Sequence, residues 1–392
     1  MLANHDLNAQ LERAAADPLR TLVVGAGVSG ASMAALMRRR GRYPVLIERA
    51  QLGAPGGYML GLLPLGGNIL RTLDRYHDYL AASLGMCNYT LGDDKGRTLR
   101  SFSIGELFTG TGDYRGIDRG ALVELLLGDG AVSWGTTVTN IVQRPDAVTV
   151  TFSDGTIADF DVVVAADGLH SSTRSLVQPT SDLSTYDTKW AGWVVWAPLG
   201  DHEASTYSEY WGAGSFVGFY PVADRVGIFI GGPTRHTEHG LQAFALRMRR
   251  AGPLGVQVTT ALDALDTAAD PFYWRFADAR SARLAYGRVV LLGDAGVGFL
   301  PTAGVGAAMA MDSAGALDDE LSRSGPAEIE FTLGLYERRQ TDRLRAAQTN
   351  SRKLARVMFT NGRVSAWLVR QVSRRISLNA MLGDIRKVIE RR

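Results

Sequence analysis

Leu22-Val23-Val24-Gly25-Ala26-Gly27-Val28-Ser29-Gly30 is the stretch on which the fold turns. Its three apolar residues read as a short buried strand, and Ala31 to Arg40 follows as a helix. Between them lies G-x-G-x-x-G, a pattern that gains its weight from that strand-to-helix setting. The first glycine permits the tight turn, the second lets a pyrophosphate approach the backbone, and the third lets the helix pack closely on the sheet. Val45-Leu46-Ile47 forms a second strand ending at Glu48, about twenty residues further on, where a carboxylate can accept both ribose hydroxyls of an adenosine. Strand, glycines, helix, strand and acid in this order predict a dinucleotide site on an α/β, Rossmann-like sheet.

Two later stretches repeat the device of a strand that stops at a carboxylate. Asp161 to Ala166 is a buried strand ending in Asp167-Gly168, with Ser171 and Arg174 just beyond. Arg288 to Leu292 ends in Gly293-Asp294, passes Pro301 and Gly304, and enters the small-residue helix from Ala307 to Asp312. A corner of this kind sets an acceptor for sugar-like hydroxyls beside backbone donors at a helix N-terminus, which suit an anion or an electron-rich ring edge. Arg119 opens a further helix after Ile117-Asp118, carrying Leu122, Leu125 and Leu126. An arginine in the first turn opposes the helix dipole, so it calls for a nearby anion; a cofactor phosphate would serve, as would Asp118 or Glu124.

The chain has 392 residues, enough for about two to three domains. A net charge of +2 argues against a dedicated nucleic-acid binder. Cys87 is the only cysteine, which excludes an intrachain disulfide or a cysteine metal cluster. With no signal-like leader and no apolar run of membrane-spanning length, the expected location is cytoplasmic. Arg235-His236-Thr237-Glu238-His239 reads as a surface turn, so no metal is expected.

Asn68 to Leu84 shows helical spacing, whereas Leu91 to Leu99 and Val148 to Phe160 read as hairpins. From Asp187 to Gly232 the pattern becomes long alternating strands rich in aromatics, with Trp190 and Trp196 on one face and Trp193 on the other. Such an antiparallel sheet can set one face on a core and the other on a cavity. Trp193, Trp196, Tyr210, Trp211, Phe219 and Tyr220 are the candidate substrate-wall residues, suited to a planar, partly apolar molecule. The expected organisation is residues 1–180 as the first part of a dinucleotide-binding domain, 181–280 as a sheet substrate domain, 281–335 as the second part of the binding domain, and 336–392 as C-terminal helices. In the tail Val364, Trp367, Leu368 and Val372 share a helix face. That face is expected to pack on the chain's own body or on a second subunit of a homodimer, with an anionic membrane surface as the alternative.

The three glycine-and-acid corners, in this order, resemble the para-hydroxybenzoate hydroxylase-like, or group A, FAD-dependent monooxygenases. Gly57-Tyr58, Leu62, Pro64, Gly66 and Leu70-Arg71 are similar to the loop and helix that follow the ribose acid in members such as the tetracycline-inactivating oxygenases. The resemblance implies a Rossmann-like FAD domain joined to a mixed or antiparallel-sheet substrate domain with C-terminal helices. It assigns Gly25, Ala26, Gly27, Ser29 and Gly30 to the FAD pyrophosphate, and Glu48 with Arg49 to the adenosine ribose. Arg119 would contact the cofactor, Val138 the adenine through its backbone, and Asp167 the FAD or NAD(P)H. Asp294 would bind the ribityl chain, and Pro301, Gly304, Val305 and Gly306 would line the isoalloxazine. It further implies that NADH or NADPH reduces the flavin and that O2 forms a C4a-hydroperoxide, which passes one oxygen atom to an aromatic or polyketide-like substrate. Gly296 and Val297 stand where the family often carries Ala-His, so no histidine is assigned beside the flavin and no side-chain base is identified. A flavin-dependent reductase, a halogenase and a non-catalytic FAD-binding partner in a biosynthetic complex are the alternatives.

Overall fold

The computed structural model describes residues 2–53, 57–108, 110–200 and 202–375. Its centre is a six-stranded sheet in the order Ala285–Tyr286, Val289–Leu291, Val162–Ala165, Thr21–Val24, Val45–Glu48 and Ser133–Trp134. All neighbours run parallel except the first pair. The middle strands are buried along their length and almost wholly apolar because both faces are covered, as a parallel sheet requires. Helices Val28–Arg39 and Gly306–Leu321 cover one face, where Met33, Leu36, Met309 and Leu317 join one core. The three-stranded sheet Val138–Gln143, Val148–Phe152 and Ile157–Phe160 covers the other.

Register decides what this sheet can do. Val24 pairs with Ala165 and with Ile47, and Ala165 pairs with Leu291. Four strands therefore end abreast, delivering Gly25, Glu48, Asp167 and Asp294 to one edge of the sheet. Thr21–Val24 connects first to a neighbour on one side while Val162–Ala165 lies on the other, which makes the gap between them the switch point where open α/β sheets bind ligands.

A second, seven-stranded sheet runs in the order Phe272–Ser281, Leu183–Pro198, Arg225–Pro233, Ser215–Val222, Thr206–Gly212, Asn88–Asp93 and Thr98–Ser103. One face packs on helices Leu241–Arg250 and Val256–Thr267, and the other turns toward the first domain and the tail. The last two strands come from within residues 1–180, so this sheet does not begin where the change of pattern near Asp187 places it. Alternation marks strands but not the partner that a hairpin inserted earlier in the chain will find.

Two further expectations are corrected. The stretch Asn68 to Leu84 is two helices, Pro64–Thr72 and Tyr76–Ala81, broken at Asp74 with φ +58°. The break turns Tyr79 into the core and frees Ser83–Gly85 to pair with Arg115–Asp118, a tertiary contact that local periodicity does not register. The boundary at 335/336 falls inside one 30-residue helix, Ile329–Met358, whose Tyr336 is fully buried in the first domain.

The following helix, Arg363–Ser373, buries Ala366 and leaves Val364, Trp367, Leu368 and Val372 at 51–73% exposure. That stripe does not pack on the described residues of the chain. From the same helix Arg370 reaches Asp93 and Asp94 at 3.8 Å, and Val369 packs against the core of the second sheet. Residues 376–392 of the expected tail lie outside the described residues. Among those described, no helix is long and apolar enough to cross a membrane.

Candidate FAD and substrate site

Two cavities open along the edge where the four strands end. One, of about 200 Å3, is lined by Val24, Gly25, Gly27, Glu48, Arg49, Arg119, Thr136, Thr137, Asp167 and His170, among others. The other, of about 310 Å3, lies between this edge and the second sheet. Gly27, Arg119, Ala166 and Gly168 line both, so the two cavities meet at the glycine turn.

The three glycines of the turn differ in what surrounds them. A Cβ on Gly25 would sit 2.6 Å from the Ala166 carbonyl oxygen, and one on Gly30 would sit 1.8 Å from that of Gly25. Both are needed to close strand, turn and helix together. A Cβ on Gly27 would meet only the Arg119 guanidinium, at 3.6 Å, and would otherwise project into the cavities. The space above Gly27 is a cradle for a ligand rather than a packing contact. It opens at the N-terminus of helix Val28–Arg39, where unpaired N–H groups favour an anion.

Glu48 is held in place by two backbone donors, the N–H groups of Ala26 and Ala50, each at 2.8 Å. Asp118 caps its helix by accepting from the N–H groups of Gly120 and Ala121, and it pairs with Arg225. The acid next to Arg119 is thus engaged elsewhere, leaving the guanidinium facing the junction of the cavities. Arg174 ties the second corner to the third, donating to the carbonyls of Leu169 at 2.9 Å and Ala295 at 2.8 Å.

Asp294 lines the larger cavity, so its accessible surface faces that partly open space while protein surrounds it on the other sides. Burial pushes its carboxyl up to about 6, against the pull of Arg119 and with Asp278 adding to the rise. The chain then makes a single turn at Pro301–Ala303, passes Gly304 in the left-handed region at φ +58°, and starts the 16-residue helix at Gly306. Gly304, Val305, Gly306 and Ala307 bring that helix's N-terminal donors to the cavity wall. If ligand hydroxyls donate to Asp294, they favour its ionised form, and the bound value falls below 6. Affinity should then weaken about tenfold per pH unit below pH 6. We expect this slope in FAD titrations of the wild type and a flat profile in Asp294→Asn; equal slopes would refute the contact.

The second sheet supplies the remaining wall. Along Thr206–Gly212, Tyr207, Glu209 and Trp211 point into the cavity and Tyr210 points away. Trp211 and Tyr220 line it, together with Tyr89, Tyr114, Phe216, Phe229 and Trp274. Trp193, Tyr210 and Phe219 lie on the opposite face, in the core built with Phe244 and Met248, because a period of two sends them there. Trp196 is outside this wall, donating to the Gly57 carbonyl at 3.3 Å beneath the Arg225 guanidinium. Val138 has its side chain in the core, and Thr136 and Thr137 line the smaller cavity. Ala26 and Gly30 shape the turn without lining either cavity.

Glu209 had no signal in the sequence. Its Oε2 accepts from the Tyr89 hydroxyl at 2.7 Å and the Trp211 indole at 3.0 Å, and its Oε1 from the Tyr220 hydroxyl at 2.8 Å. Burial raises its carboxyl above the ordinary range, opposed by these three donors. Leu354, Met358 and Phe359, from the end of the long helix, complete the enclosure.

Comparison with known proteins now bears on this geometry. A family described as an FAD binding domain matches residues 124–325. The 3-amino-4-hydroxybenzoate 2-monooxygenase of Streptomyces cremeus is 30% identical over 355 residues, covering 86% of this chain and 87% of that protein. The chain belongs to the group A FAD-dependent monooxygenases. This monooxygenase is also 29% identical over 361 residues to the FAD-dependent urate hydroxylase of Klebsiella oxytoca, covering 86% and 89% of the two chains. Its fold is that of Klebsiella pneumoniae HpxO complexed with FAD and uric acid, with a TM-score of 0.83 at 24% identity and coverage of 95% and 96%. FAD is its cofactor, and it is an enzyme of the hydroxylase type.

Proposed function

We propose that this monooxygenase consumes NAD(P)H and O2 to hydroxylate a planar aromatic molecule held in the larger cavity. The junction of the two cavities at Gly27 and Arg119 carries this reading, because it joins a polar groove to an aromatic chamber along one continuous edge. FAD bound there would supply the oxygen-transfer chemistry that the family resemblance implies. The cradle above Gly27 and the engaged Glu48 fit the dinucleotide half, and Asp294 with the turn Pro301 to Gly306 fits the ring half.

The chain's own residues would then orient and exclude. Arg119 offsets phosphate charge, and the N–H groups from Gly304 to Ala307 favour negative charge at the ring edge facing them. Tyr207, Trp211, Phe229, Trp274 and Phe359 exclude water from a substrate ring. The test is aerobic oxidation of NADH and of NADPH by the yellow protein with small aromatics, followed by mass analysis. Acceleration with gain of one oxygen atom is expected. Oxidation that no aromatic accelerates, with no oxygenated product, would sink the proposal.

A further inference from the structure

Glu209 is the feature of this cavity that the preceding chemistry leaves without a task. It is only 8% exposed, and the groups that hold it, Tyr89, Trp211 and Tyr220, are neutral. A buried carboxylate with no cation beside it is costly, and an apolar residue would fill the same wall at no such cost. Gly218, directly across the strand pair from Glu209, keeps the arrangement possible: a Cβ there would strike the Tyr220 ring at 2.5 Å.

The charge balance of the chamber points the same way. The charged residues among its described lining are Arg119, Glu209 and Asp294. Arg119 lies at the junction with the smaller cavity, beside Gly27, so its charge belongs to the dinucleotide half. The part that would receive a substrate thus presents a carboxylate and no cation. A carboxylate offers about four acceptor positions, and three are taken here, with one donor on Oε1 and two on Oε2. One position on Oε1 is taken by no donor among the described residues and is left for a ligand.

We propose that Glu209 selects the substrate by charge: the cavity takes an aromatic ring that carries no carboxylate and presents an N–H or O–H donor, or a protonated nitrogen, to Glu209 Oε1. This rests on the larger cavity being the substrate site, and it departs from the Streptomyces cremeus relative, whose name specifies a benzoate. A carboxylated ring would enter against Glu209, with no arginine or lysine among the described lining to receive it apart from Arg119 at the far junction.

The experiment uses the FAD-loaded full chain without NAD(P)H, so that it reads binding rather than turnover. The bound flavin's absorbance is followed while 4-aminophenol, 4-hydroxybenzamide or 4-hydroxybenzoate is added. The amine and the amide should bind at least about tenfold tighter than the benzoate, and Glu209→Gln should bring the amine and benzoate to within about threefold of each other. Benzoate binding as tight as the amide, an unchanged ratio in Glu209→Gln, or no response to any of the three overturns the inference. Should Glu209→Gln fail to hold FAD, the wild-type ratio decides alone. A colourless wild-type protein would instead defeat the reading of the site, so the two failures are distinct.

Discussion

Valine in place of Gly27 should yield a protein that folds but stays colourless. The Gly27 backbone, at φ −70° and ψ −174°, lies in an extended region that any residue adopts, and its missing Cβ faces the joined cavities. Side-chain bulk there occupies the ligand's space without disturbing the core. FAD affinity should fall by more than about 100-fold while the thermal unfolding midpoint of the apoprotein stays within about 3 °C of wild type. Gly30→Val is the matched opposite. Its Cβ would lie 1.8 Å from the Gly25 carbonyl oxygen, a collision that no rotamer relieves, so soluble folded protein should not be recovered. Flavin absorbance after gel filtration, with circular dichroism, separates the two outcomes. A yellow Gly27→Val protein would remove the pyrophosphate from this turn.

Alanine at Arg174 should cost about 3 kcal/mol of stability, because two carbonyls lose a charged donor in a buried site and the side chain leaves a void. Arg174 is 5% exposed, and it bridges the loops after two neighbouring strands, at Leu169 and Ala295. Lysine should restore less than about half of the loss, since one ammonium does not reproduce the fork that reaches both oxygens. Denaturant unfolding of the apoprotein measures this. A loss below about 1 kcal/mol would mean that the corners stand without the brace.

How much of this was legible beforehand depends on the range of each signal. The glycine turn, Glu48 and the two later acidic corners are local patterns, each a strand, a turn and a helix within a few residues, and they also name their chemistry. Their parallel register follows from the buried strands around them. The division of Trp193, Tyr210 and Phe219 from Trp211 and Tyr220 was a matter of phase: alternation gives two faces but does not say which one meets the cavity. Glu209 was out of reach for another reason. An acid in an aromatic strand reads as an exposed residue until Tyr89 and Tyr220, brought from two other strands, are found donating to it. The break at Asp74 and the inserted hairpin at Asn88–Asp93 likewise depend on partners distant in the chain.

The helix Ile329–Met358 gives the enzyme a mechanical property. Gln348 donates to the carbonyls of Ala279 in the second sheet and Gly298 in the loop before the turn Pro301–Ala303, and Thr302 of that turn donates to the Ser351 carbonyl. Arg352 grips Asp278, while Met358 and Phe359 roof the chamber and Tyr336 is set in the core of the first domain. Floor, roof and foundation therefore hang on one beam about 45 Å long. A ring that lifts the roof loads the same beam that holds the turn Pro301–Ala303, so the height of the chamber and the position of that turn are not independently adjustable.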